Sequence, residues 1–245
     1  EVNQTDMAGN RQGLWIEKYS NGFVKYEIFF KDNHPAGVYR KYYENGQIKA
    51  KMYFNETGKN AAAILYNPNG SKHSMGYYKN KKRDSLWQYF YNDSLVISEV
   101  NYKNGIKNGS EYVYSVVSYP NLLQEKYWKN GVQDSTWARY YPDGNPQFVT
   151  QFKNGKRNGK YIAYNVDKRI IVTGQYKNNQ STGIWKYWNA DDSNYLVVEY
   201  VNGVPKNSDN FSKKQSKIIQ QMEDMKGKFQ EPHEHIYDNK GGNDY

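Results

Sequence analysis

The stretch FKNGKRNGKYIAY, Phe152 to Tyr164, sets how the rest of the chain is read. Its Asn154-Gly155 pair stands between two runs of strand composition. Asn-Gly is the strongest short-range hairpin signal, because both central residues of a type I′ turn need positive φ. The same wording recurs along the chain. Taking the aromatic before the turn as a marker gives Phe30, Phe54, Tyr78, Tyr102, Trp128, Phe152, Tyr176 and Tyr200, a spacing of 24 broken once by 26. A fixed period of this length is the signature of stacked structural repeats.

Other slots keep the register. Seven residues after the first seven markers stand Gly37, Ala61, Ser85, Gly109, Ser135, Gly159 and Gly183, with Gly13 opening the series. Two further on come Trp15, Tyr39, Ala63, Trp87, Glu111, Trp137, Tyr161 and Trp185. Three beyond those stand Lys18, Tyr42, Tyr66, Phe90, Tyr114, Tyr140, Tyr164 and Trp188. A second turn signal appears as Asn21-Gly22, Asn45-Gly46, Asn69-Gly70 and Asp143-Gly144, weakening to Asp93-Ser94, Asp167-Lys168 and Asp191-Asp192. Each unit is thus two strands and two tight turns. The small anchor residue predicts close backbone approach more than obligatory positive φ, since Ser and Ala share the slot with Gly.

Composition explains why such a unit must repeat. Only 37% of the 245 residues are apolar, yet 26 are Tyr, so amphipathic rings do much of the burying. Lys and Arg exceed Asp and Glu by 34 to 25, a net charge of +9 that favours anionic partners without choosing among them. The absence of cysteine removes disulfides and thiolate chemistry. No apolar run approaches the roughly 20 residues of a membrane span, and no signal-peptide apolar core is present. The chain begins at Glu1, which fits prior removal of an N-terminal segment.

The pattern G-x-W-x-x-Y-Y-x-D-G is nearly intact as Ser135-Thr136-Trp137-Ala138-Arg139-Tyr140-Tyr141-Pro142-Asp143-Gly144, followed by Phe152-Lys153-Asn154-Gly155-Lys156-Arg157-Asn158-Gly159. It resembles the MORN repeat, and more closely the bacterial variant of the antitoxin-like (MORN type 2) family, over about four-fifths of the chain. The resemblance implies an all-β fold, an elongated, single-layer antiparallel meander of eight β-hairpin repeats of about 24 residues, and the residues beyond it read as a C-terminal α-helix and flexible tail. Strand spacing would carry eight units over roughly 75 Å. The divisions are residues 1–10 as an N-terminal tail, 11–206 as the repeat domain, 207–229 as an amphipathic helix and 230–245 as a flexible tail. The third unit, at Ala63, and the fifth, at Glu111 with two residues inserted near Ser115 to Asn121, depart from the pattern.

Function is read from the same rows. No nucleophile motif, P-loop or dinucleotide fingerprint occurs, so no enzyme, cofactor or metal site is expected. His233-Glu234-His235 reads as polar tail more than metal site. Lys79, Lys103, Lys129, Lys153 and Lys177, with Lys31, follow the markers and form a basic row that solvates the turns or meets an acidic partner. The tyrosines Tyr114, Tyr140 and Tyr164 pack neighbouring hairpins or stack on a bound peptide. Ser208-Asp209-Asn210 offers N-cap chemistry for a helix over 210–229, with Phe211, Ile218, Met222, Met225 and Phe229 on one stripe. That stripe either caps the last hairpin or docks on a partner, with Ile218, Met222 and Met225 as its contacts.

MORN resemblance implies a non-enzymatic protein-binding or scaffolding subunit in an extracytoplasmic bacterial cell-envelope assembly, periplasmic and of secretion or surface type. Its partners are one or more proteins with an acidic or extended surface. The alternatives are peripheral binding of anionic lipid through the lysine edge, and antitoxin-like inhibition of a partner protein. Nucleic acid is not expected, since the lysine row lacks arginines and no helix is placed to enter a groove.

Overall fold

The computed structural model describes residues 1–188, 195–206 and 211–225, with backbone alone at 214 and 222–225. The chain divides into two units. The first, Glu1–Gly109, holds β1 (Gln4–Thr5), β2 (Arg11–Lys18), β3 (Val24–Lys31), β4 (His34–Tyr42), β5 (Ile48–Phe54), β6 (Asn60–Tyr66), β7 (Lys72–Lys79), β8 (Lys82–Phe90) and β9 (Val96–Lys103). β10 (Ile106–Tyr114) begins there and runs on into the second, which opens at Ser110. The second unit continues with β11 (Leu122–Lys129), β12 (Val132–Tyr140), β13 (Pro146–Lys153), β14 (Lys156–Tyr164), β15 (Ile170–Lys177), β16 (Gln180–Trp188), β17 (Tyr195–Val201), β18 (Val204–Pro205) and α1 (Lys213–Met225).

Within each unit successive strands pair antiparallel, β1 through β9 in the first and β11 through β18 in the second. This is the all-β hairpin meander that the period predicts.

The turns follow their chemistry in two distinct ways. After the marker aromatics other than Phe54, whose loop has positive φ only at Gly58, both central residues take positive φ: 52° and 84° at Asn104-Gly105, and 51° and 75° at Asn154-Gly155. These are the expected type I′ turns. Asp32-Asn33, Asn80-Lys81 and Asn178-Asn179 hold the same geometry without glycine; Asn and Asp tolerate the left-handed region, and Lys81 is held there at 62° by the turn itself.

The other turn differs from expectation. At Asn21-Gly22 only the glycine has positive φ, at 88°, and its N–H donates to Tyr19 O at 3.0 Å while Tyr19 N–H donates to Phe23 O at 2.8 Å. Ser20 and Asn21 thus form an ordinary turn followed by a left-handed glycine, a longer hairpin loop with a bulge. The turn expected at Asp191-Asp192 lies outside the described residues.

The anchor slot is corrected as well. Gly13, Gly37, Ser85, Gly109, Ser135, Gly159 and Gly183 all have positive φ, Ser85 and Ser135 both at 60°, whereas Ala61 does not. A Cβ at Gly13, Gly37 or Gly183 would meet nothing within 4 Å, so closeness is not the demand there. The pairings of β3–β4, β7–β8, β11–β12, β13–β14 and β15–β16 each slip in register near the anchor, while β5–β6 runs through Ala61 unbroken. The slot therefore hosts a β-bulge, and a residue in the left-handed region supplies the extra unpaired position.

Rings from alternate positions build the core on one face, called inner here. In the first unit Trp15, Ile28, Tyr39, Met52, Ala63 and Gly76 stand opposite one another across consecutive strands, and Trp87 pairs with Val100. Trp87 and Trp185 are fully buried. A Cβ on Gly76 would overlap the Trp87 ring, and one on Gly174 the Trp185 ring, so each indole lies flat on a neighbouring strand's bare backbone. Burying such a ring contributes about 4–6 kcal/mol as an upper estimate.

Ser212 caps α1: its Oγ accepts from Gln215 N–H at 3.3 Å, and Gln215 Oε1 accepts from Ser212 N–H at 2.8 Å. This reciprocal capping box stands two residues beyond the cap predicted at 208–210, which lies outside the described residues.

Candidate functional site

Side-chain direction follows from the pleat, so the expected binding residues can be placed face by face. Lys79, Lys103, Lys129, Lys153 and Lys177, together with Lys31, are all exposed at the ends of strands that lead into type I′ turns. Tyr114 and Tyr164 are half-buried on the face opposite the core, called outer here, because the buried Val113, Tyr161 and Ala163 alternate with them, and Tyr140 is half-buried at the equivalent position of its strand.

Tyr140 is engaged by its own sheet: its hydroxyl donates to Glu125 Oε1 at 3.1 Å, and burial, then the nearby carboxylate, push its pKa up to about 12. Tyr114 meets Tyr119 edge-on at 6.2 Å. Phe211, just before the α1 cap, and Ile219 on α1 pack against the second unit's core, and Ile218 is half-buried. The side chains of Met222 and Met225, with Phe229, His233 and His235, lie outside the described residues.

Three features escaped the sequence reading. Tyr19, Tyr43 and Tyr141 donate their hydroxyls to the carbonyls of Tyr42, Tyr66 and Tyr164, each 23 residues on, at 2.7, 2.8 and 3.1 Å. They lace successive repeats together.

Arg11, Arg83 and Arg157 share a slot two residues before the anchor and lay their guanidinium groups on inner-face rings. Arg11 stands 5.0 Å from Trp15, Arg83 4.7 Å from Trp87 and Arg157 5.3 Å from Tyr176. The recurrence of Arg at a fixed offset was the available signal.

Glu111 is only 2% exposed although it occupies a slot that elsewhere holds rings. Its Oε2 accepts from Trp128 Nε1 at 2.6 Å, which gives the carboxylate a charge-assisted partner inside the sheet.

The outer face carries the clearest functional asymmetry. Seven consecutive strands, β2 to β8, each contribute one outer-face residue to a band that is paired directly from Leu14 to Phe29 and from Val38 to Tyr77, and is offset by the register slips at β3–β4, where Phe29 pairs with Ala36, and at β7–β8, where Tyr77 pairs with Asp84. These are Leu14, Phe29, Val38, Tyr53, Ala62, Tyr77 and Leu86. Phe29 is 49% exposed, Tyr53 42% and Leu86 43%. The same slots in the second unit hold Tyr127, Thr136, Gln151, Lys160, Gln175, Ile184 and Glu199. The slots are apolar through Leu86 on β8 and mostly polar from Asn101 on β9 onward.

The inner face of the first unit also has a cleft of about 630 Å³. Tyr26, Phe30, Tyr39 and Phe54 line it with Arg11 and Lys41, a combination that suits an acidic or aromatic group. Burial pushes the Tyr39 hydroxyl up to about 12, so it is a neutral hydrogen-bonding group at ordinary pH.

Comparison with known proteins finds one family model that matches part of the chain. The model of the MORN repeat variant matches residues 11–32, 36–56 and 133–154. No curated protein matches the chain. Among solved structures, the chain is similar at 12% identity to one in the crystal structure of TcdB2-TccC3-Cdc42, over 80% of its own length and 13% of the other's, with a TM-score of 0.21. It is similar at 12% identity to one in that of TcdB2-TccC3, over 83% and 15%, with a TM-score of 0.22. The chain therefore spans about a seventh of those chains, and likeness at this level carries no argument.

Proposed function

We propose, from the premise that this chain carries MORN-type repeats, that it is a non-enzymatic protein-binding or scaffolding subunit of a larger assembly. One observation supports this most directly. The sheet of each unit spends its buried rings on the inner face and leaves outer-face residues such as Phe29, Tyr53 and Ile184 exposed. Apolar surface of this kind, held on a paired and therefore stiff backbone, is what a protein partner covers. A bacterial cell-envelope setting, periplasmic and of secretion or surface type, rests on the family resemblance, as does the narrower reading of an antitoxin-like inhibitor.

Native affinity purification with mass spectrometry tests the function. A stoichiometric partner is the expected result, and the lone chain under several mild lysis conditions overturns it. A second reading is favoured by the exposed Lys79, Lys103, Lys129, Lys153 and Lys177: attachment to anionic lipid by charge.

A further inference from the structure

Eight copies of one unit provide an internal control, because a slot with a purely structural duty keeps its chemistry in every copy. The inner row does so in good part: Trp87 over Gly76 in the first unit reappears as Trp185 over Gly174 in the second. The outer row does not. The slots before the marker read Phe29, Tyr53 and Tyr77 in the first three repeats, then Asn101, Tyr127, Gln151, Gln175 and Glu199. Those after the anchor read Leu14, Val38, Ala62 and Leu86, then Ser110, Thr136, Lys160 and Ile184. The polar versions occupy the same kind of hairpin, so the fold does not require apolar residues there.

The six strand intervals from β2 to β8 span roughly 29 Å, with the apolar band stepped at the β3–β4 and β7–β8 slips. The row runs across interior strands whose backbone groups are already paired, so recognition must come from side chains and not from an added strand.

Charge decides what lies on it. Two residues along the strands from the row stand Lys31, Arg40, Lys51 and Lys79, against the carboxylates Glu27 and Asp84. Glu27 and Arg40 pair with each other at 2.7 Å, which leaves Lys31, Lys51 and Lys79 against the single carboxylate of Asp84, a net positive flank. Lys51 stands 5.2 Å from the Tyr53 ring, directly beside the row. A second copy of this chain would bring the same cations and a further +9 charge to the contact.

We infer that the outer face of the first unit, along Leu14, Phe29, Val38, Tyr53, Tyr77 and Leu86, binds an acidic segment of another protein that interleaves carboxylates with aliphatic or aromatic side chains. This rests on the protein-binding function above and adds the surface and the partner's chemistry. The apolar groups cover the row while the carboxylates meet the flanking lysines, and the polar second unit is left for other contacts.

The test uses the full chain and three fluorescein-labelled peptides: one alternating Glu with Leu and Trp, one alternating Glu with Ser, and one alternating Lys with Leu and Trp. By anisotropy the first binds at least roughly tenfold more tightly than the others. The triple variant Phe29→Thr, Tyr53→Thr, Tyr77→Thr weakens it by roughly tenfold, while Gln151→Thr with Gln175→Thr leaves it unchanged. Equal affinity for all three peptides overturns the inference, as does unaltered binding by the triple variant. If the triple variant melts lower than wild type, Lys51→Glu with Lys79→Glu decides instead: the acidic apolar peptide must weaken and the basic apolar one strengthen, and no change sinks the idea. A concentration-dependent dimer in sedimentation that the triple variant abolishes also overturns it, in favour of self-association. In the native purification, a partner retained by the triple variant removes this surface but keeps the function, whereas no partner at all removes the function.

Discussion

At the scale of single residues, packing is least forgiving where an indole lies on bare backbone. Gly174 faces Trp185, which is fully buried and also packs on Tyr161, Tyr176, Tyr187 and Tyr200. The ring has nowhere to move, so Gly174→Ala is expected to destabilise by about 1–3 kcal/mol, whereas alanine in an open glycine-free turn would cost little. Denaturant midpoints of G174A against wild type check this. Tyr39 and Tyr140 provide a second residue-level test, since both are raised to about 12, chiefly by burial. A raised folded-state pKa stabilises fully below the unfolded value of 10 and is lost as pH climbs through the folded value. Melting temperature should therefore fall between about pH 10 and 12, and Tyr39→Phe with Tyr140→Phe should flatten that fall.

At the scale of elements, the hairpin is the unit of design and the bulge its hinge point. The bulge is set by an anchor residue with positive φ, and its absence at Ala61 leaves β5 and β6 in unbroken register. Phe211, just ahead of α1, and Ile219 on it pack against the second unit's core, and a capping role for this segment makes a prediction. Phe211→Ala with Ile219→Ala is expected to lower stability by about 1–3 kcal/mol. Hydrogen exchange should show the loss concentrated in β16 and β17, and uniform protection across the chain would count against a capping role.

At the scale of the whole molecule, net charge and repetition act together. A charge of +9 raises encounter rates with any anionic surface and is screened by salt within about 8–10 Å. Lipid attachment through the exposed lysines makes a sharp forecast: flotation with phosphatidylserine vesicles at low salt, lost at high salt and on charge reversal of Lys103, Lys129 and Lys153. No flotation at low salt removes that reading and leaves protein binding alone.

The sequence by itself determined the period, the hairpins and the type I′ turns, because Asn154-Gly155 and its equivalents act through φ preferences local to two residues. It placed the lysines at turn ends for the same reason. It read the anchor as a matter of space, because Gly, Ser and Ala share small size, and only the backbone reveals that Ser85 takes positive φ while Ala61 does not. It also gave no sign that Glu111 lies buried against Trp128, since that partner arrives from the next strand. The distinction between inner and outer face, and with it the exposed row from Leu14 to Leu86, was decided by tertiary structure alone. Alternation along a strand sorts residues into two sets, but which set is buried depends on the rings that neighbouring strands bring.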